Sequence, residues 1–246
     1  MHNIITREIE YTAHDGKTLI GFFAAPEVQH ALPGLILGPE WWGRDEYMVE
    51  RAMQFATQGY ATFAIDMYGN KACTEVATEA SAYMSEVFEK PNTLLDRAQA
   101  GLAMLAAQPE VDPKKLAAIG FCFGGKIALE LARSGAPLEV IASFHGTLKT
   151  DRPAKLGMIK GDVLICHGID DSMISLEDVD RIEQELQHAD VAYQILRLED
   201  AKHGFTNPKS DERHAKTGVD VAYNAVAEQK SLDTLAELLK KRFPTH

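Results

Sequence analysis

Wholly apolar runs alternate with stretches of helical apolar spacing along most of this chain. The opening differs: residues 4–11 alternate apolar and polar positions, Asp15-Gly16 marks a tight turn, and Thr18-Leu19-Ile20-Gly21-Phe22-Phe23 follows, which predicts a β-hairpin. Leu32-Pro33-Gly34-Leu35-Ile36-Leu37-Gly38 is then apolar throughout, as strands buried on both faces of a parallel sheet are. Residues 116–119 and 140–144 read as further buried strands, and 60–65, 163–168 and 192–198 as strands.

Helical spacing fills the intervals. Asp45 is placed to cap a helix through Val49, Ala52, Met53, Phe55 and Ala56, and Asn92 or Thr93 to cap one from Leu94 to Ala106. Lys126 to Ala132 continues the pattern, and Ser175-x-x-Asp178 opens a helix to His188. A closing helix is expected from Val219, with Ala222, Ala225, Val226, Ala227, Leu232, Leu235, Leu238 and Leu239 on a broad apolar face. Residues 75–89 read as a mixed helical or lid segment and 149–160 as a solvated connection. The alternation predicts an α/β fold over a single domain, 1–246: a mostly parallel central sheet, helices on both faces, an N-terminal hairpin, and a site at the carboxyl ends of the strands.

Composition narrows the partners. With 36 acidic against 25 basic residues the net charge is −11, a field that repels nucleic acid and anionic membranes. Three cysteines make no disulfide framework, and with no apolar run of membrane-spanning length and no signal-peptide pattern at the start, a cytoplasmic protein is expected. No G-x-G-x-x-G follows the first strand, no Walker loop is present and no histidines pair at zinc-ligand spacing, so neither cofactor nor metal is expected.

The chemistry gathers at Gly120-Phe121-Cys122-Phe123-Gly124-Gly125, which has the G-x-C-x-G-G form of a nucleophile elbow. An apolar strand precedes it and a helix follows, so Cys122 sits in a sharp turn where Gly120 and Gly124 let strand and helix pass closely. The positive end of the helix favours a thiolate, and the N–H of Phe123 is placed to hold an oxyanion. In hydrolases of this architecture the acid and then the histidine follow the nucleophile, each after a later strand. Gly168-Ile169-Asp170-Asp171-Ser172-Met173-Ile174 supplies the acid; Asp171 fits a Gly-x-x-Asp-x-x-aliphatic loop, although spacing alone does not separate it from Asp170. His203, in Ala201-Lys202-His203-Gly204-Phe205, is the base. His145 and His167, also at strand exits, are expected to bond to backbone. Cys73 and Cys166 are expected to be ordinary residues, and Trp42 either lines a pocket for a flat acyl group or packs at its rim.

These motifs, together with Gly38-Pro39-Glu40, Asp66-Met67-Tyr68, Phe144-His145-Gly146 and His167-Gly168, resemble those of the dienelactone hydrolase family of α/β-hydrolases over nearly the whole chain. The resemblance implies a Cys122, Asp171, His203 triad, a Glu40 carboxylate that takes part in activating the thiol, and a Trp41 N–H that joins Phe123 in the oxyanion hole. It also places Tyr68, Asn70, Lys71, Phe205 and Asn207 beside the substrate. Family members that act on the carboxylated dienelactone are expected to hold it with two arginines, whereas residues 69–90 and 203–207 here contain none. A neutral ester or lactone is therefore the expected substrate, cleaved through an acyl-thioester; the other class open to the chain is a ligand-binding module without turnover.

Overall fold

In a computed structural model, which describes residues 2–244, the chain forms two compact units, residues 1–118 and 119–246. Met1, Thr245 and His246, the ends of the expected 1–246 domain, lie outside the described residues.

The first unit opens on the hairpin. β1 (Ile4–Thr12) and β2 (Thr18–Pro26) pair antiparallel from Ile4 opposite Pro26 to Thr12 opposite Thr18. Asp15 closes the turn by accepting the Lys17 N–H at 3.0 Å. β2 also pairs antiparallel with β4 (Ala61–Ala64), and β4 pairs parallel with β3 (Leu32–Gly38), giving the order β1-β2-β4-β3. The apolar reading of β3 and β4 corresponds to near-complete burial. Helix α1 (Glu46–Thr57) is capped by Asp45, which accepts the Met48 N–H, and buries Met48, Ala52, Phe55 and Ala56.

Residues 77–89 form a regular helix, α2 (Ala77–Glu89), ahead of α3 (Thr93–Ala106). The expected side-chain cap of α3 does not form. Asn92 is left-handed at φ 77°, and its carbonyl, not its amide side chain, meets the helix by accepting the Asp96 N–H at 2.8 Å. Arg97 of α3, buried, donates to the Met67 carbonyl at 2.7 Å and pairs with Asp15 and Glu86, so the loop after β4 is anchored to α2, α3 and the hairpin turn. β5 (Val111–Phe121) is longer than its apolar segment, because it begins with the more exposed residues 112–115.

In the second unit β6 (Val140–Phe144), β7 (Asp162–Gly168) and β8 (Tyr193–Leu198) pair parallel in sequence order. α4 (Phe123–Arg133) packs on β6, and α5 (Leu176–His188) begins with the expected capping box of Ser175 and Asp178. Two differences follow. A short helix, α6 (Ser210–Thr217), lies in a region with no apolar periodicity, and α7 spans Ala225–Arg242, starting six residues after Val219. Asn224 sets that start by accepting the N–H groups of Val226 and Ala227, and Val221 instead bridges to His203. Val226, expected on the apolar face, is exposed, while Ala227, Leu235 and Leu239 are buried.

Candidate functional site

At Cys122 the backbone takes φ 53°, ψ −114°, a conformation that side-chain-bearing residues rarely adopt. Local packing imposes it. A Cβ on Gly120 would run into the carbonyl of Gly124, and a Cβ on Gly125 would stand 2.7 Å from the Gly146 Cα, so the strand end, the helix start and the exit of β6 all converge only because these positions are glycine. The Cys122 N–H donates to the Phe144 carbonyl at 3.0 Å, and the thiol is half-buried. Phe123 is the first residue of α4. Cys166, by contrast, is fully enclosed in β7, where burial pushes its thiol up to about 12 and leaves it protonated near neutral pH.

The acid loop follows β7. A Cβ on Gly168 would run into the Ala201 carbonyl, so glycine permits this loop to approach the segment that carries His203. Asp171 Oδ1 accepts the N–H groups of Met173 and Ile174 at 2.8 and 3.0 Å, and Oδ2 accepts His203 Nδ1–H at 2.8 Å. Asp170 is exposed. His203 is held from the other side by its bridge to Val221 and by the Ala222 N–H, which donates to its carbonyl at 3.1 Å.

Burial works against a charge on the His203 imidazole, but the charge that Cys122 can carry and the hydrogen bond and charge of Asp171 outweigh it, holding His203 well above its usual range. Its Nε2 is buried, and the Cys122 thiol favours the protonated ring through hydrogen bonding as well as through its charge. His167 is buried too, and burial lowers its pKa, so it stays neutral near pH 7.

Thus the structure brings Cys122, Asp171 and His203 together within the second unit. In the first unit Glu40 is buried, Trp41 is half-buried, and Trp42 is buried with its ring 4.7 Å from that of Trp41. Tyr68 donates its O–H to the Trp41 carbonyl at 2.9 Å, and its ring lies tilted 5.3 Å from that of Tyr83 of α2, a helix whose pattern gave no hint of this aromatic contact. Asn70 is exposed with φ 52°. The Lys71 ammonium and the Arg44 guanidinium both donate to Glu8, each at 2.9 Å.

Two expected substrate contacts have internal partners. Phe205 is fully buried with its ring on His145, and Asn207, also buried, accepts the Lys209 N–H with its side-chain oxygen at 2.9 Å. His145 is the residue that pattern reading missed, since nothing in its spacing distinguishes a loop histidine from one packed on His203. Its ring lies 5.2 Å from that of His203, and its Nε2 is hydrogen-bonded to Thr206 Oγ1 at 2.8 Å rather than to backbone. Among the described residues no group of three or more His, Cys, Asp or Glu side chains is placed to hold a metal ion, and no helix is long and apolar enough to cross a membrane.

This arrangement has counterparts in known proteins. The solved structure of a dienelactone hydrolase-like promiscuous phosphotriesterase from metagenomic libraries is similar over 98% of this chain and 99% of its own, at 36% identity and a TM-score of 0.90. Another, named m3DLH, is similar over the same shares at 35% identity and a TM-score of 0.90. A Synechocystis protein provisionally named carboxymethylenebutenolidase is 27% identical over 82% of this chain and 87% of its own. A model of the dienelactone hydrolase family matches residues 19–243, and the chain belongs to that family, with its α/β-hydrolase fold.

Proposed function

We propose that this hydrolase cleaves carboxylic ester or lactone bonds through an acyl-thioester on Cys122. The observation that carries the reading is the buried His203, bound through Nδ1 to Asp171 with Nε2 directed to the nucleophile's side. Cys122 Sγ attacks the carbonyl carbon as a thiolate, its proton residing on His203 Nε2. The tetrahedral oxyanion is held by the Phe123 N–H at the start of α4 and, as the family resemblance implies, by the Trp41 N–H. Collapse expels the alkoxide, which takes the proton from His203. A water molecule then gives its proton to His203 and attacks the thioester, releasing the acid and restoring the thiol. Asp171 keeps the imidazole in the Nδ1–H tautomer and stabilises it when charged. Glu40 belongs to the same reading through the resemblance alone.

The substrate is neutral, with its acyl part against the aromatic set of Trp41, Trp42 and Tyr68. Lys71, in the segment where the resemblance places an arginine, and Arg44 are both engaged by Glu8. The three free cysteines support a cytoplasmic location. Phosphotriester cleavage is a second reading, favoured by the activity named for the 36% identical structure, since attack of Cys122 at phosphorus uses the same base. Mass spectrometry of enzyme quenched during turnover of a p-nitrophenyl ester tests the proposal: an acyl adduct on Cys122 is expected, absent in Cys122→Ala. Turnover by Cys122→Ala at the wild-type rate would reject it, and binding without turnover would identify a ligand-binding module.

A further inference from the structure

His145 is fully buried and has φ 39°, the left-handed region that costs a side-chain-bearing residue free energy. Such a residue persists where the surroundings determine it, and here they do so from several directions. Its N–H donates to the Cys166 carbonyl at 2.8 Å. Its ring stands edge-on to Phe205 at 5.0 Å and 79°, and edge-on to His203 at 5.2 Å and 65°. Thr206, fully buried and three residues beyond the base, fixes the ring plane through the bond to Nε2. Gly146, the next residue, is taken up by its close approach to Gly125 and Ser143, so the left-handed backbone falls on His145 itself, where its side chain is placed.

The base needs such a wall. An imidazole that turns half a revolution about its Cβ–Cγ bond exchanges nitrogens for carbons on both edges, and both edges of His203 have work in the proposed reaction. The hydrogen bond to Asp171 by itself leaves rocking about the Nδ1 contact open, and rocking carries Nε2 away from Cys122. β6 is suited to prevent this, because its last carbonyl, on Phe144, holds the Cys122 N–H while the next residue holds the base. One strand end thus sets both reacting side chains.

We propose that His145, locked by Thr206, is a positioning residue that holds the His203 imidazole with Nε2 aimed at Cys122. This rests on the triad reading given above. The ionisable groups that the second unit places around His203 are Cys122 at the turn into α4, Asp171 from the acid loop, His145 just past β6 and His167 from β7; Asp220, beside the bridged Val221, is engaged by Lys202 and Ser172.

The experiment compares wild type, His145→Asn, Thr206→Val, Thr206→Ser and Cys122→Ala, measuring kcat and KM on a neutral p-nitrophenyl ester and the pH profile of Cys122 alkylation by iodoacetamide. Asparagine tolerates the left-handed backbone but removes the ring, and valine removes only the hydroxyl. His145→Asn is expected to lower kcat about 10- to 100-fold with KM nearly constant, the scale on which misplacement of a reacting group acts. The inflection of the alkylation profile is expected to shift, as packing loss alone would not make it do. Thr206→Val should show the same change to a smaller degree, with Thr206→Ser restoring wild-type behaviour. Wild-type kcat and profile in folded His145→Asn, or in Thr206→Val should the first variant not fold, overturns the positioning role while an inactive Cys122→Ala leaves the triad intact. Wild-type turnover by Cys122→Ala removes the triad reading itself, and the proposal with it.

Discussion

Asp171 meets His203 through one carboxylate oxygen and its own loop through the other: Oδ2 accepts Nδ1–H at 2.8 Å while Oδ1 takes two backbone N–H groups. A carboxylate held at both oxygens cannot swing, and so it fixes the imidazole as well as attracting it. Asp171→Asn is expected to lower kcat about a thousandfold to ten-thousandfold, through the wrong tautomer, and Asp170→Asn only a few-fold, because Asp170 is exposed and away from the ring. A larger loss at Asp170 would reverse the assignment.

The same pair sets a pH dependence. The Cys122 charge and the Asp171 hydrogen bond hold His203 protonated to higher pH than an ordinary histidine, against the burial that opposes it. In the proposed reaction the proton delivered to the leaving alkoxide is lost as pH rises through that raised value, so the alkaline limb of kcat/KM is expected to report it. In Asp171→Asn a raising cause is gone, and the limb should move toward acid; an unmoved limb assigns it to another group.

Gly168 is required by crowding. Its missing Cβ is the space that the Ala201 carbonyl uses, so Gly168→Ala should push the acid loop away from the His203 segment. The expected result is a destabilisation of about 1 to 3 kcal/mol, the usual cost of overpacking, accompanied by a drop in kcat. Urea unfolding and initial rates on the same preparation check both, and a stable, fully active variant refutes the crowding argument.

Charge selection follows from Glu8. With Lys71 and Arg44 both engaged by it, the proposed reading expects weak selection of an anionic substrate, and kcat/KM for a carboxylated dienelactone should fall well below that for an uncharged ester of similar size. Glu8→Gln weakens that restraint and should raise the ratio. A wild-type ratio far above one means that another base binds the carboxylate.

Asp162, at the start of β7, holds the end of α7 by accepting from both Nε, at 2.9 Å, and Nη2 of Arg242. Burial would raise its carboxyl, but the Arg242 hydrogen bond and charge outweigh it and set the pKa below the usual aspartate value. A depressed native pKa contributes stability that is present above the unfolded value, near pH 4, and is lost as pH falls through the native one. Arg242 is 35% exposed, so Asp162→Asn should cost only about 1 kcal/mol at pH 7, with the difference from wild type shrinking below about pH 4. A difference that grows in acid contradicts the ion pair as its source.

What the sequence determined by itself is local. Gly120, Cys122 and Gly124 announce the elbow because a strand that turns at once into a helix restricts side chains within five consecutive positions. Asp45 and Ser175 announce their helices because a cap acts on an N–H three residues away. Apolar runs disclosed β3, β6 and β7 because burial on both faces leaves no place for polar residues. Tertiary structure decided everything that depends on partners far along the chain. Two adjacent aspartates in one loop differ only in which of them reaches His203, 32 residues on. Lys71 is a cation near the expected substrate loop until Glu8, 63 residues earlier, takes it up. His145 gains its place from Thr206, 61 residues later. Asn92 carries a good capping side chain and fails to use it, since the backbone entering α3 there is left-handed. Local rules act through bonded geometry, which sequence spacing measures directly, whereas these choices depend on which distant surfaces the folded sheet brings into contact.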